Sequence, residues 1–249
     1  MEKRTDKNSY TIFFVVVMVL VVGTLLSFLA SDSGLKPLIT ENKRIEKQQN
    51  ILYAMGVNAN EGSNAVFVSP DIAGQEFNKY IKKQLIIEGT KTIEDENAYL
   101  IDVKKEQTKA KNGETRRLPL FVGEKDGKTF YIAPIRGKGL WDAIWAYVAL
   151  DKNMVVQGVF FDHKGETAGL GANINKRFFM DDFIGENLIT NGSFKGIKVA
   201  KGNADPLNKD KTDNEVDAIA GATITGDGVS AMLKSELKLY LPYFKTLKN

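Results

Sequence analysis

From Asn8 to Ser31 the chain carries no charged residue, and Ile12–Ala30 is a nearly pure run of Ile, Phe, Val, Leu and Met. Nineteen residues at about 1.5 Å each cover the ~30 Å hydrocarbon layer of a bilayer. A cleaved signal peptide is the competing reading, but its apolar region is shorter, about 7–15 residues. Ala30-Ser31-Asp32 is also a poor cleavage site, and without cysteine a lipoprotein anchor is excluded. The run therefore predicts an uncleaved single-pass helix in membrane lipid at positions 12–31. Lys3, Arg4 and Lys7 precede it, whereas only Lys36 follows closely before Lys43, Arg44 and Lys47. That asymmetry favours a cytoplasmic N-terminus at 1–11 and a body outside the bacterial inner membrane, on the periplasmic side.

Positions 32–249 remain for the body, enough for one sizeable core. Within the chain's 249 residues, 34 Lys and Arg oppose 31 Asp and Glu, a formal charge of +3 without long blocks, and so no nucleic-acid footprint. Zero cysteines and one histidine, His163, remove disulfides, thiolate nucleophiles, iron–sulfur clusters and Cys-type zinc sites. A hydrolase acting through Thr223 or Ser230 would lack any base except His163. The expected catalytic set and the expected metal set are both empty.

Leu38–Ala54 reads as a stalk helix, opened by Pro37 and closed by Gly56, with Leu38, Ile45 and Leu52 at heptad spacing. Stalk and linker together occupy 32–64. Asp71 is placed to cap a second helix with Phe77, Tyr80, Ile81 and Leu85 on one face. Strands are expected at Ala98–Val103, Leu118–Val122, Thr129–Ile135, Ala143–Leu150 and Val155–Asp162, the last two as an antiparallel hairpin. A short helix follows at Asn175–Ile184 and a strand at Phe194–Val199. The chain then closes with a helix over Gly226–Phe244, turning Val229, Leu233, Leu237, Tyr240 and Phe244 inward. Central strands with helices at both ends predict an α+β fold with a mainly antiparallel sheet.

Two segments are unlike framework. In Gly165-Glu166-Thr167-Ala168-Gly169-Leu170-Gly171 the glycines let backbone amides approach a ligand closely, although a plain turn is the simpler explanation. In Asp217-Ala218-Ile219-Ala220-Gly221-Ala222-Thr223-Ile224-Thr225 small neighbours leave the Thr223 hydroxyl open at the start of a helix, where an anion is favoured. A helix cap explains the same residues, and Thr225 suits the cap better than Thr223. Trp141 and Trp145, four apart, would share a strand face and pack in the core.

These residues together resemble a family. Asp217-x-x-x-Gly221-Ala222-Thr223 is similar to the flavinylation motif of FMN-bearing respiratory subunits, and Glu166-Thr167-Ala168-Gly169-Leu170-Gly171 to the Glu-Thr-Pro-Gly-Leu-Gly loop of the same FMN-binding domain. Gly139-Leu140-Trp141 matches a third landmark. Glu46-Lys47-Gln48-Gln49-Asn50-Ile51-Leu52 resembles the stalk of the C-subunit family of sodium-translocating NADH:quinone oxidoreductases. Ala220 stands where that family usually has Ser or Thr, and Ala168 where it usually has Pro.

The resemblance implies an FMN-binding domain over 65–249. It implies FMN joined by a phosphoester to Thr223, installed from FAD by a separate flavin transferase. Trp141, Glu166, Thr167, Gly169, Leu170, Gly221 and Ala222 would accompany Thr223 around the flavin. It also implies an electron relay within a six-subunit complex that couples NADH oxidation and ubiquinone reduction to sodium export, with the membrane FMN-bearing subunit as a close partner. The corresponding flavoprotein of the ion-pumping ferredoxin:NAD oxidoreductase shares the motif. A membrane-tethered, non-redox assembly module is the alternative from another class.

Overall fold

The computed structural model describes residues 7–29 and 35–248, in two compact units, 1–45 and 46–249. In the first, α1 (Lys7–Leu29) leaves its apolar side chains exposed and is long and apolar enough to cross a membrane. Thr24 and Ser27 donate their hydroxyls to the Leu20 and Gly23 carbonyls at 2.9 and 2.8 Å, so their polarity is satisfied inside the helix. The basic flank at Lys3 and Arg4, and Ala30-Ser31-Asp32, lie outside the described residues.

A helix also occupies the segment expected to form one after the anchor. Helix α2 (Leu35–Ala54) starts two residues before Pro37, a position in the first turn where proline's missing N–H costs nothing. From Gln48 its residues lie mostly buried in the body. Helix α3 (Pro70–Tyr80) follows, with proline at its start. The expected continuation through Ile81 and Leu85 is overturned: the chain switches at Ile81 into β1 (Ile81–Glu88), followed by β2 (Lys91–Glu94). Ile81 and Leu85 fit a period of two as well as a helical one, and pairing of β1 with two neighbours decides for the strand.

A second expectation fails at Ala98–Val103, which is a 3₁₀ turn over Ala98–Leu100 and then α4 (Val103–Lys111). The sequence Val-Lys-Lys-Glu-Gln-Thr-Lys-Ala-Lys has almost no apolar period. Asp102 specifies the helix instead, its carboxylate accepting the amides of Lys104 at 2.9 Å and Lys105 at 3.2 Å.

Then come β3 (Arg117–Lys125), β4 (Lys128–Lys138), β5 (Ala143–Leu150) and β6 (Val156–His163), close to expectation. The six strands form one antiparallel sheet in the order β2-β1-β3-β4-β5-β6. Phe130, Tyr147 and Phe160 share one face, which α2 covers: Tyr53 meets Phe160 edge to face at 5.5 Å between centroids. The opposite face carries Gly137, Ile144 and Phe161. Both faces are buried, so β5 reads as a continuous apolar run rather than an alternation.

Beyond β6 the expected helix at Asn175–Ile184 resolves into 3₁₀ turns flanking α5 (Arg177–Met180). The single strand at Phe194–Val199 is also corrected. Its residues fall into β8 (Ser193–Phe194), paired with β7 (Ile189–Thr190), and β9 (Lys198–Val199), paired in parallel with β10 (Glu215–Val216). Gly196, at φ +79°, separates them. The last helix starts three residues early and is broken: α6 (Thr223–Leu237) passes through a 3₁₀ turn into α7 (Leu241–Thr246), where Pro242 cannot continue a hydrogen-bonded helix. Val229, Leu233, Leu237, Tyr240 and Phe244 are all buried as the period required. Gly137 lets Met232 of α6 lie on the second face of the sheet, since a Cβ there would stand 2.7 Å from it. This fixes the N-terminus of α6 beside the β4–β5 and β6–α5 connections.

Candidate functional site

Three segments meet there: the turn at 139–142, the loop at 165–171, and the first turn of α6. Glu166 joins them. Its Oε1 accepts the Trp141 amide at 3.0 Å and its Oε2 accepts the Thr225 hydroxyl at 2.5 Å. The residue is buried, and burial pushes its pKa up. The Thr225 hydroxyl and the amides of Trp141, Asp142 and Leu140 outweigh that and hold the carboxyl below its usual value of 4.5. Gly139 and Gly171 make the approach possible: a Cβ on Gly139 would sit 2.5 Å from Oε1, and one on Gly171 2.5 Å from the Thr225 Oγ1. The glycines of both loops thus serve the carboxylate as much as any ligand.

The capping role expected for Thr225 is therefore overturned. Ala222 is the N-cap, no side chain caps the helix, and Thr225 is buried with its hydroxyl on Glu166. Thr223 is the first residue of α6, exposed, and no hydrogen bond joins its hydroxyl to a base among the described residues. The first amides of a helix have no intrahelical acceptors, so the Thr223 hydroxyl stands at the positive end of α6. His163 is occupied locally, its Nδ1 accepting the Glu166 amide at 3.2 Å.

Outside this clasp lies an apolar ledge. Trp141 is 67% exposed, Ile224 59%, and Leu140 and Leu170 42% each. The shared core face expected for the two tryptophans is thus wrong for Trp141, which sits in the turn before β5 while Trp145 lies within it. The indole Nε1–H donates to the Thr167 Oγ1 at 3.1 Å, tying the ring to the 165–171 loop. Gly221 and Gly169 take φ of +69° and +77°, and a Cβ on Gly221 would meet Leu170 at 2.9 Å. Trp141, Glu166, Thr167, Gly169, Leu170, Gly221, Ala222 and Thr223 all lie on or directly beside these three segments, with Ala222 buried beneath. Sequence reasoning quotes Leu140 and Ile224 only as members of the motifs and gives neither a place at the site. For Thr225 it points to the wrong partner.

An open hydroxyl at a positive helix end, beside an exposed apolar ledge with an aromatic ring, suits a ligand with one phosphate and one flat ring system. Residues 139–238, which contain all three segments, match the FMN-binding domain family. Fold and site together define a flavin-binding domain, with FMN as its cofactor, behind a helix that fits a membrane anchor. The C-subunit of the Na(+)-translocating NADH-quinone reductase of Vibrio anguillarum is 30% identical over 92% of this chain and 90% of its own length. That of Haemophilus ducreyi is 28% identical over 92% and 89%. The crystal structure of the same protein from Parabacteroides distasonis superposes with a TM-score of 0.71 at 31% identity, covering 85% of this chain and 97% of that one. NqrC of Shewanella oneidensis gives 0.67 at 27%, covering 83% and 98%. The chain belongs to this C-subunit family of the Na(+)-translocating NADH-quinone reductase.

Proposed function

We propose that this chain is the electron-relay subunit of a sodium-translocating NADH:quinone reductase, carrying FMN as a phosphoester on Thr223. The observation that carries the reading is the exposure of Thr223 at the first turn of α6, beside the Trp141–Leu170 ledge. FMN, when bound, supplies reversible electron transfer through its ring. The chain's own residues hold and orient it. The amides of the first turn of α6 would hold the phosphodiester charge, and the ledge of Leu140, Trp141, Leu170 and Ile224 would hold the ring. Thr167 would offer it a hydroxyl, and Gly169, Gly221 and Ala222 would keep the approach open. Glu166 holds the three segments in register.

Attachment is a transfer between two phosphate linkages. The Thr223 oxygen bonds to the FMN-side phosphorus of FAD, the bond from that phosphorus to the bridging oxygen breaks, and AMP leaves as the threonine proton is released. With no base on Thr223 among the described residues, a separate flavin transferase supplies the deprotonation. The proposed organisation is a cytoplasmic N-terminus at 1–11, a membrane helix at 12–31, a stalk and linker at 32–64, and a periplasmic FMN-binding domain at 65–249. The partners are the other subunits of the reductase, above all its membrane FMN-bearing subunit.

Intact mass and in-gel flavin fluorescence after denaturation test this on protein co-expressed with a flavin transferase. Wild type gains the mass of one FMN less water, and Thr223→Ala stays colourless. Flavin retained by Thr223→Ala refutes the acceptor. An unmodified wild type beside a labelled control substrate points to Ala220 spoiling recognition or to a noncovalent site, and Ala220→Ser separates the two: labelling of that variant assigns the failure to Ala220, and its absence refutes covalent attachment.

A further inference from the structure

A trench of about 750 Å³ runs between α4, the end of β4 and α6, and opens at Trp141. Gly137, Gly228 and Ala231 leave it unfilled. Gly228 has a second duty, since any side chain there would collide with the Lys138 carbonyl. The charges lining the trench do not balance. Arg116 is paired with Glu236, and Asp142 with Lys164 at 2.7 Å. Lys111, Arg136 and Lys138 also line it and have no ion-pair partner among the described residues. A chain whose charges are spread along the sequence without long blocks has thus gathered four cations against two carboxylates in one concave strip, with Asp142 shared between Lys164 and the field of Arg136.

We propose that this trench docks an acidic segment of another subunit of the complex, guiding that partner to the edge of the cofactor site. The proposal rests on the electron-relay reading above. Charge complementarity names the occupant: a strip lined by an excess of cations calls for carboxylates, and a field of one sign speeds encounter while discriminating partners. Shape argues for polypeptide. A strip floored by glycine and alanine between a helix and a sheet end admits an extended chain, whereas a lipid headgroup layer is flat and meets cations that project from a convex face. Position supplies the purpose, because Trp141 belongs both to the trench and to the ledge beside Thr223.

The test uses the full-length flavinylated chain in detergent and the remaining subunits purified without it. Affinity is measured across a salt series for wild type, for Lys111→Gln/Arg136→Gln/Lys138→Gln, and for a control, Lys128→Gln/Lys152→Gln/Lys209→Gln, with the same charge loss elsewhere. The trench variant is expected to bind ~10-fold or more weakly at low salt and with a shallower salt dependence. The control should bind as wild type does, and flavin mass and visible spectrum should be unchanged in all three. Equal affinity of the two variants overturns the proposal. So does a trench variant that keeps its affinity for the other subunits but loses binding to phosphatidylglycerol vesicles, or that differs only in self-association. A wild type that carries no flavin or does not bind the other subunits instead overturns the relay reading.

Discussion

Thr225→Val tests the clasp. Valine keeps the shape of threonine but removes the donor to Glu166, leaving a buried carboxylate short of one hydrogen bond. That bond is 2.5 Å long and charge-assisted, the strongest class of side-chain hydrogen bond in a protein. Hydrogen bonds to charged groups contribute about 1.5–3 kcal/mol. For a domain of this size, 1 kcal/mol moves the melting temperature by ~2–4 °C, so the expected loss is roughly 3–12 °C. The sign with pH follows from the depressed pKa of Glu166. Its stabilisation is complete above the unfolded value of 4.5 and is lost as pH falls and the carboxylate is protonated. The gap between wild type and variant is therefore widest near neutrality and narrows as pH falls below 4.5. Thermal unfolding of the detergent-solubilised full chain at several pH values measures this, with Thr225→Ser restoring most of the loss. A Thr225→Val protein as stable as wild type refutes the reasoning. So does an equal loss at all pH values, which would report packing rather than a hydrogen bond to an ionised group.

Gly139→Ala places a methyl 2.5 Å from Glu166 Oε1, so overpacking costs about 1–3 kcal/mol in a chemical melt. Gly202→Ala, with open space around it, should be nearly neutral. Glu186 is fully buried, one oxygen on the Asn208 amide at 2.9 Å and the other without a partner, and burial pushes its pKa up to about 7. A raised acid pKa stabilises below the unfolded value of 4.5 and loses that contribution as pH rises to about 7. Glu186→Gln should flatten the decline in melting temperature over that range, and an unchanged slope would count against it.

How much is legible in the sequence varies with how local the determining physics is. The long apolar helix α1 rests on a count of uncharged residues, and the hairpin of β5 and β6 on two apolar runs with a turn between them. The inward face of α6 and α7 rests on a period, and the structure carries all three. Helix α4 is invisible in the sequence because its specification is an Asp102 cap and not an apolar stripe. At Ile81 helix and strand patterns coincide, so the neighbours of β1 have to choose. Thr225 misleads for a similar reason: a threonine near a helix start satisfies the cap pattern whether or not a carboxylate 59 positions away takes its hydroxyl.

The order of apolar and polar residues therefore determined an α+β chain behind a long apolar helix, with an open threonine in a small-residue turn, because spans, periods and steric openness are local properties. Only the tertiary structure decided that the turns at 139–142 and 165–171 and the start of α6 form one site. The long antiparallel path brings them together, and a single buried carboxylate, itself on the second segment, finds donors in the other two. The excess of cations that Lys111, Arg136 and Lys138 give the trench belongs to the same category. Spaced along the sequence they average out, and their field exists only where α4 and β4 place them along one strip.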